Sequence, residues 1–371
     1  MSDLVLPSEL LPADGRFGCG PSKVRPEALA RLAEVGDQLL GTSHRQPRVK
    51  DQVRRLQEGL ATLFDLPDGY EILLSVGGAT AFWDAAAFGI VERRARHYVF
   101  GEFSGKFAAA TAAAPWLDDP DVVKVDPGSV PAPSPAEGCD VQAFTHNETS
   151  TGVMQQPRRV DDALVVVDAT SGAGGLPVDL AATDVYYFSL QKGFASEGGL
   201  VVAILSPAAV ERIVRIAESD RYVPTFLDLA TALDNSRKHQ TYNTPSVSTV
   251  FLAAEQVDWM NATFGGLDGV VAEQRRKADA VYRWAESRAW AQPFVAEAEA
   301  RSLVVATIDL DDTISADEVN AVLRANGILD TDAYRKLGRN QLRLGMFPAV
   351  DLADVEAYTA CVDHVVEQLR G

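Results

Sequence analysis

The sequence predicts an α/β fold with a mostly parallel sheet, and two observations support this prediction. Apolar, β-branched runs of strand length do not alternate with polar residues, which is typical of strands buried on both faces of a sheet. Helical segments lie between some of these runs, at 80–92 and 104–114, and strands that alternate with helices favour parallel pairing. The predicted strands lie at 71–76, 97–100, 141–145, 163–167, 185–189 and 200–205.

Helices dominate the next part of the chain. We predict a helix at 207–218, with Ser206 as its N-cap and Pro207 in its first position. A long helical stretch covers about 246–291, and an α+β pattern comes after it. The elements of that pattern are strands at 302–309 and 341–346 and helices at 316–325 and 352–369.

The long helical stretch breaks near Gly265, where two consecutive glycines interrupt it. A chain of this length suits one large domain with an appendage, or two domains. We therefore expect a large domain at 18–264 and a smaller α+β domain at 265–371, with residues 1–17 packed on the smaller domain.

The composition is that of a globular protein, with 47% hydrophobic and 23% charged residues. The formal net charge is −18. Because nucleic-acid phosphates bind basic surfaces, this charge disfavours a nucleic-acid partner. A local group of arginines and lysines can still bind a small anion in an acidic protein.

The three cysteines, Cys19, Cys139 and Cys361, are widely spaced. They lack the Cys-x-x-Cys spacing of zinc sites, so we expect neither a metal site nor a disulfide framework. The N-terminal residues lack a signal-peptide pattern, and no apolar run approaches the ~18 residues that cross a bilayer. We therefore expect a cytoplasmic protein with no membrane partner.

Two charged residues follow successive predicted strands. Asp168 ends the strand at 163–167, and Lys192 follows the strand at 185–189. The carboxyl ends of parallel strands are where α/β folds bind ligands. Taken singly, Asp168 reads as a turn residue and Lys192 as a surface lysine. Together, at two successive strand ends, they favour a functional site.

This pair is what pyridoxal-phosphate chemistry requires. A lysine forms a Schiff base with an aldehyde and acts as a base once it is displaced. A carboxylate opposite the pyridine nitrogen keeps that nitrogen protonated, so that the ring accepts electrons.

An anion site is predicted upstream, where the segment 75–83 passes from a strand through Gly77 and Gly78 into a helix. Free N–H groups and the helix dipole bind phosphate there, and the Thr80 hydroxyl can add a bond. The spacing matches neither the P-loop nor the GxGxxG fingerprint, so nucleotide binding has little support.

The combined motifs resemble the phosphoserine aminotransferase family, within the fold-type-I pyridoxal-phosphate enzymes. The resemblance runs from about residue 17 to 347, which is most of the chain. The matching motifs, in chain order, are Gly18-Cys19-Gly20-Pro21-Ser22, Thr42-Ser43-His44-Arg45, Gly77-Gly78-Ala79-Thr80, His146-Asn147-Glu148-Thr149, Asp168, Gln191-Lys192 and Tyr242-Asn243-Thr244-Pro245.

The resemblance implies a role for each matching residue. Lys192 forms the Schiff base and Asp168 pairs with the pyridine nitrogen, so these two are the catalytic residues. The other implied cofactor contacts are Ala79 and Thr80 at the phosphate, Gln191 nearby, Phe103 on the ring, Thr149 near the ring hydroxyl, and Asn243 and Thr244 from the other subunit of a homodimer. The implied substrate contacts are Arg343 at the α-carboxylate and His44 and Arg45 at the second anionic group.

Two segments depart from the family's pattern. The family often stacks a tryptophan on the cofactor ring, whereas this chain offers Phe103, which can also stack. Many members carry Gly-His-Arg before the carboxylate arginine. Here the basic residues of that region are Arg335, Lys336 and Arg339. Each is a candidate contact for the substrate phosphate, and a solvated basic turn is the alternative for at least one of them.

The resemblance implies reversible ping-pong transfer between L-glutamate and 3-phosphohydroxypyruvate, giving phosphoserine and 2-oxoglutarate in serine biosynthesis. A phosphohydroxythreonine-type substrate of vitamin B6 synthesis is a second candidate. The runner-up function is an alanine/serine–glyoxylate-type aminotransferase, whose substrate lacks a phosphate and would not need so many cations.

Two further alternatives receive less support. A cysteine desulfurase needs a nucleophilic cysteine on a mobile loop, whereas Cys361 lies in a predicted helix and Cys139 lies far from the substrate motifs. A non-catalytic relative would be expected to lose the lysine or the carboxylate arginine, and both Lys192 and Arg343 are present.

Overall fold

Strands and helices alternate along most of the chain in the computed structural model, which describes residues 4–370. The strands are β1 (Glu71–Val76), β2 (Ala95–Val99), β3 (Asp121–Lys124), β4 (Val141–Thr145), β5 (Asn147–Glu148), β6 (Val153–Met154), β7 (Leu164–Asp168), β8 (Val185–Ser189), β9 (Leu200–Leu205), β10 (Ala291–Pro293), β11 (Val305–Leu310) and β12 (Gln341–Gly345). The helices are α1 (Pro26–Leu39), α2 (Pro47–Leu63), α3 (Ala79–Gly89), α4 (Glu102–Ala112), α5 (Pro207–Ala217), α6 (Leu229–Ser236), α7 (Val247–Phe264), α8 (Leu267–Glu286), α9 (Ala316–Ala325) and α10 (Leu352–Arg370).

A seven-stranded sheet of order β1-β9-β8-β7-β4-β2-β3 forms the centre of the molecule. Strand β9 is antiparallel to both of its neighbours, and the other four pairs are parallel. Every residue of β4, β7, β8 and β9 is buried, which explains their uninterrupted apolar sequences. The prediction of an α/β fold with a mostly parallel sheet is confirmed.

The neighbouring parallel strands β7 and β8 position the two predicted catalytic residues. In their register Asp168, the last residue of β7, lies beside Tyr187 of β8. Strand β8 ends two residues later, and the chain continues directly to Lys192. Asp168 and Lys192 therefore both lie at the carboxyl-terminal ends of these two parallel strands.

A smaller antiparallel sheet, β10-β11-β12, follows α8. Helices α8 and α9 pack on this sheet, and α10 packs on both of these helices. Residues at the start of the chain pack on this part of the protein. The N–H of Leu6 donates to Asn326 Oδ1 at 2.9 Å, and the N–H of Ala13 donates to Asp354 Oδ1 at 2.8 Å. This packing agrees with the expected place of residues 4–17, while the domain boundaries stay a prediction.

The long helical stretch breaks as predicted, because α7 ends where Gly265 takes a left-handed conformation with φ of +73°. Several predicted bounds are wrong by a few residues, including the end of the helix predicted at 80–92, which lies at Gly89. Residue Ala291 begins β10 and is not helical. The strand predicted from 302 begins at Val305, because the Ser302 hydroxyl accepts hydrogen bonds from the N–H groups of Val304 and Val305 and turns the chain.

No helix within residues 4–370 combines the length and the apolar character that crossing a membrane requires.

Candidate active site

Lys192 lies just beyond β8, and residues near the start of the chain hold it in place. Its Nζ donates a hydrogen bond of 2.6 Å to the carbonyl oxygen of Cys19. Ser22 binds the same turn, since its N–H donates to the Gln191 carbonyl and its hydroxyl to the Lys192 carbonyl. Gly20 has a φ of +131°, and a Cβ there would lie 1.9 Å from Lys192 Nζ. Only glycine leaves room for the lysine at this position.

The surroundings of Lys192 make its amine less basic. Burial is the main cause, and it lowers the pKa of Lys192 to about 8. The positive charge of Arg343 acts in the same direction, whereas Cys19 and Asp168 act against it. The amine therefore loses its proton at a much lower pH than an ordinary lysine, and the uncharged amine is the form that acts as nucleophile and base.

Asp168 is buried at the end of β7, and two N–H groups bind its carboxylate. The indole Nε1–H of Trp83 donates to Oδ2 at 2.8 Å, and the N–H of Thr170 donates to Oδ1 at 2.9 Å. Hydrogen bonds donated to a carboxylate favour its charged form. The two donors thus hold the carboxylate of Asp168 in a fixed orientation inside the protein.

The predicted phosphate cradle lies at the N-terminus of α3. Gly77 turns the chain with a φ of +128°, and Ala79 begins the helix. The N–H of Ala79 donates to the Ser189 hydroxyl at 3.0 Å, which ties α3 to the end of β8. The exposed Thr80 therefore offers the next amide of the first turn, together with its hydroxyl, to an anion.

The Asn-Glu-Thr motif forms the short hairpin of β5 and β6 beside the loop that follows Asp168. Asn147 Nδ2 and the Thr149 hydroxyl both donate to the hydroxyl of Ser171, at 2.9 and 2.7 Å. The Ser171 hydroxyl donates in turn to the Asn147 carbonyl. Thr149 is thereby fixed near Asp168, which is where the resemblance predicts a contact with the ring hydroxyl.

Glu148, the middle residue of the motif, holds the N-terminus of α4. Its buried carboxylate accepts hydrogen bonds from the N–H groups of Phe103 and Ser104 and from the hydroxyls of Ser104 and Ser150. Burial raises the pKa of this carboxyl group. A Cβ at Gly101 would lie 2.3 Å from Glu148 Cγ, so the close approach requires glycine. This contact fixes the position of Phe103.

Arg343 lies on β12, and its guanidinium group reaches toward the hairpin. Its Nη1 donates to the carbonyl of Thr149 at 3.3 Å, and the group lies 5.4 Å from the centre of the Tyr334 ring. The half-buried guanidinium also lies close enough to Lys192 for its charge to lower the pKa of the lysine, after the larger effect of burial.

The three basic residues of the 334–340 segment have different partners. Arg339 Nε donates to both carboxylate oxygens of Asp309 at 3.1 Å. Lys336 forms an ion pair with Glu102 at the start of α4. Arg335 is exposed and has no ion pair with any residue in the described part of the chain. All three basic residues line one cavity together with Arg343, the predicted carboxylate arginine, so their partners are what distinguish them.

The other predicted substrate and cofactor residues lie together on the surface. His44 Nδ1 lies 3.2 Å from the Thr244 hydroxyl, so the segments 42–45 and 242–245 meet. Arg45, Asn243 and Thr244 are exposed. Burial, and then the charge of Arg45, lower the pKa of His44. Within residues 4–370 this group forms no hydrogen bond with Lys192 or Asp168 of the same chain.

The sequence did not indicate four groups that position side chains in this site. They are the Cys19 carbonyl, Trp83, Ser171 and the carboxylate of Glu148. Three of them belong to segments that the sequence did single out, namely the Gly-Pro motif, the cradle segment and the Asn-Glu-Thr motif. Ser171 follows Asp168 by only three residues. Closeness in sequence to a predicted site residue was the one indication of these groups, and it does not show which of their atoms forms the hydrogen bond.

Comparisons with known proteins show the family to which the chain belongs. Residues 133–331 match the family model of the class-V aminotransferases. The chain is 58% identical over 365 residues to the phosphoserine aminotransferase of Corynebacterium glutamicum (strain R), covering 98% of this chain and 97% of the relative.

Solved structures are also similar. A phosphoserine aminotransferase structure from Cytophaga hutchinsonii matches with a TM-score of 0.87 and 25% identity, covering 95% of this chain and 99% of that one. A phosphoserine aminotransferase from Trichomonas vaginalis with pyridoxal phosphate bound has the same fold, with a TM-score of 0.79 and 21% identity over 94% of this chain and 99% of that one. The chain belongs to the phosphoserine aminotransferase family of the class-V aminotransferases.

Proposed function

We propose that this enzyme transfers an amino group reversibly between L-glutamate and 3-phosphohydroxypyruvate, giving phosphoserine and 2-oxoglutarate for serine biosynthesis. The observation that carries the proposal is the placement of Lys192 and Asp168 at the ends of two neighbouring strands, with Arg343 bound to the Asn-Glu-Thr hairpin beside them. The substrate is supported by the 58% identity to a phosphoserine aminotransferase over nearly the whole chain. The three free cysteines support a location in the reducing cytoplasm.

The cofactor is pyridoxal 5′-phosphate, and the residues present fit it. The hydroxyl of Thr170 and the Oε1 atom of Gln191 are buried without a hydrogen-bond partner in the described residues, and such atoms call for a polar ligand. Thr80 and the first turn of α3 offer a phosphate site. When bound, the cofactor supplies an aldehyde that carries the amino group and a ring that takes up the electrons of the broken Cα–H bond.

Lys192 holds the cofactor and moves the proton. Its pKa of about 8 means that Nζ is readily uncharged. The freed amine takes the Cα proton of the substrate, as a general base whose pKa lies near the working pH. The Cys19 carbonyl, 2.6 Å from Nζ, orients the amine. Meanwhile the charged Asp168 stabilises a protonated ring nitrogen opposite it.

Arg343 binds the α-carboxylate of each substrate. Its half-buried guanidinium offers two parallel N–H groups, the geometry that matches a carboxylate. It is also close enough to Lys192 to affect the pKa of the amine. Holding the carboxylate there brings Cα within reach of Nζ, which is the proximity contribution to catalysis.

Among the basic residues of the 334–340 segment, Arg335 is the one that binds the substrate phosphate. Arg339 is occupied by Asp309 and Lys336 by Glu102. Arg335 has no carboxylate partner in residues 4–370 and lines the same cavity as Arg343. An unpaired guanidinium there is available to a dianionic phosphate.

The active species is a homodimer with shared sites. The contact between His44 and Thr244 joins the two segments into one exposed surface group. Since this group is not hydrogen-bonded to the catalytic residues of its own chain, we assign it to the neighbour's site. There Asn243 and Thr244 reach the cofactor phosphate, and His44 and Arg45 reach the second anionic group of the substrate.

Half-reactions test the proposed substrates. The enzyme is mixed singly with phosphoserine, glutamate, alanine and serine, and the loss of the absorbance of the Lys192-bound cofactor is followed. Phosphoserine and glutamate should convert the enzyme rapidly and alanine and serine slowly. Rapid conversion by alanine or serine, with none by phosphoserine, would contradict the proposed substrate while leaving the cofactor assignment intact.

A further inference from the structure

A single hydrogen bond links the helix of the phosphate cradle to the carboxylate that faces the ring nitrogen. Trp83 Nε1 donates to Asp168 Oδ2 at 2.8 Å, and the two residues are 5% and 3% exposed. Trp83 lies on α3 one turn after Ala79, the first residue of that helix. The two ends of the proposed cofactor site are therefore joined through one turn of α3 and one side chain.

The indole is held in place from the other side. The ring of Phe107, on α4, stacks on Trp83 with a centroid distance of 6.4 Å and an angle of 20°. Tyr187 also lies beside Asp168, and burial first, then the charge of Asp168, keep the pKa of Tyr187 well above its ordinary value. The hydroxyl of Tyr187 therefore lies near both Asp168 and Trp83, and the indole is the side chain that donates to the carboxylate at full hydrogen-bond distance, 2.8 Å.

We infer that Trp83 is a positioning residue for Asp168, holding its carboxylate correctly oriented toward the cofactor's ring nitrogen; this rests on the proposed function. The indole N–H is a donor only, so it favours the charged carboxylate. With Thr170 N–H on the other oxygen, the plane of the carboxylate is fixed. A remaining lone pair then accepts the ring N–H. Without Trp83 one oxygen of the carboxylate loses its donor, so the carboxylate can turn away from the ring N–H and no longer stabilises the proton there.

The test uses holoenzyme loaded with cofactor that is ¹⁵N-labelled at the ring nitrogen. In Trp83→Phe the ring nitrogen resonance should move toward its unprotonated position, and kcat should fall about tenfold or more with KM little changed, the effect of losing a bond to a charged group. Trp284→Phe is the matched control, because its indole also donates to a carboxylate, Asp363, at 3.0 Å. It lies outside the site, so it should leave the resonance unchanged.

The outcomes of this test distinguish a failure of the role proposed for Trp83 from a failure of the proposed function. A protonated resonance in wild type that Trp83→Phe does not move would overturn the role of Trp83 and leave the proposed function standing. An unprotonated resonance in wild type would instead contradict the role of Asp168 itself. A fall in melting temperature alone, shared by Trp83→Phe and Trp284→Phe, would mean that Trp83 only packs.

A second measurement applies if Trp83→Phe does not fold. In ¹⁵N-tryptophan-labelled holoenzyme the indole N–H resonance of Trp83 should be shifted strongly downfield by its charged acceptor. It should move upfield in Asp168→Asn, where the acceptor becomes neutral, while the Trp284 resonance stays in place. An indole resonance of Trp83 that does not respond to Asp168→Asn would overturn the inference.

Discussion

The carbonyl oxygen of Cys19 accepts a hydrogen bond of 2.6 Å from Lys192 Nζ, across 173 positions of the sequence. A side-chain amine without a carboxylate partner remains less basic than an ion-paired one. The carbonyl nevertheless fixes the position of Nζ. The Gly18–Ser22 segment thus orients the lysine and leaves its reactivity intact, and this arrangement has a measurable dependence on pH.

The rate at which the cofactor attaches to Lys192 should depend on pH. Because the pKa of Lys192 is about 8, compared with an ordinary value of 10.5, the amine loses its proton as the pH rises through 8. Stopped-flow absorbance should therefore show attachment to the apoenzyme accelerating up to about pH 8 and levelling off above it. A rate that keeps rising toward pH 10 would contradict the lowered pKa.

Borohydride supplies the control for this experiment, because it reduces the Schiff base to a permanent bond. Mass spectrometry should then find the adduct on Lys192. An adduct on any other lysine would rule out the assignment. Lys192→Ala should still bind the cofactor through the phosphate cradle, and it should not complete turnover.

Asp168→Asn tests the second catalytic assignment. The variant keeps the shape of the side chain but removes the negative charge that stabilises a protonated ring nitrogen. Proton abstraction from glutamate in a single turnover should slow by orders of magnitude, while the cofactor stays bound. Near-normal single-turnover rates would make Asp168 a structural residue of the turn that follows β7.

Hybrid dimers test the shared sites. One chain carries Lys192→Ala, and the other carries alanine at both Asn243 and Thr244. If each site combines Lys192 of one chain with Asn243 and Thr244 of the other, one of the two sites in a mixed dimer is intact. Mixing two inactive homodimers should then restore up to half of the wild-type activity per mixed dimer. Full activity of a monomer at low concentration would contradict shared sites.

Arginine truncations test which cations bind the second anionic group. Arg45→Ala and Arg335→Ala should each lower kcat/KM for phosphoserine by about 2–4 kcal/mol, the range for truncating one partner of a charge pair that is buried, as these pairs become when the substrate and the second subunit cover the site. Alanine, which lacks a second anion, should be nearly unaffected wherever it reacts. An equal loss with both amino acids would assign these arginines a structural role.

Arg339→Ala is the matched control for these truncations. It leaves the nearly buried carboxylate of Asp309 without its ion-pair partner. Since Arg339 itself is 42% exposed, solvent screening reduces the cost, and we expect a loss of about 1–3 kcal/mol of folding free energy. Thermal unfolding measures that loss. Unchanged stability together with a selective loss of phosphoserine use would assign the phosphate to Arg339.

The buried strands were predictable because each is a short, uninterrupted apolar run between turn residues. Strand β3 was missed, since it has only four residues and alternates between exposed and half-buried positions at the sheet edge. Helix α2 was also missed, although its sequence indicates a helix. Val49, Val53, Leu56, Leu60 and Leu63 recur at helical spacing, and all five are buried.

The placement of Asp168 and Lys192 was predictable, because each lies directly at or after the end of a buried apolar strand. The site was not predictable where the effect depends on tertiary placement. The bond from Trp83 to Asp168 spans 85 positions, and that from Ser104 to Glu148 spans 44. Likewise, the partners that separate Arg335 from Lys336 and Arg339 lie on other elements, so the sequence left all three as equal candidates.

The assignment of phosphoserine as the substrate is tested most directly by two complete reactions of the wild-type enzyme, compared under one set of conditions. One couples phosphoserine to 2-oxoglutarate, and the other couples alanine to glyoxylate. The arginines assigned to a second anionic group predict a kcat/KM for phosphoserine that is at least a hundredfold higher, about 2.7 kcal/mol at 1.36 kcal/mol per tenfold. An enzyme that uses alanine with glyoxylate better than phosphoserine with 2-oxoglutarate would contradict the account, and Arg45 and Arg335 would then be solvated surface residues.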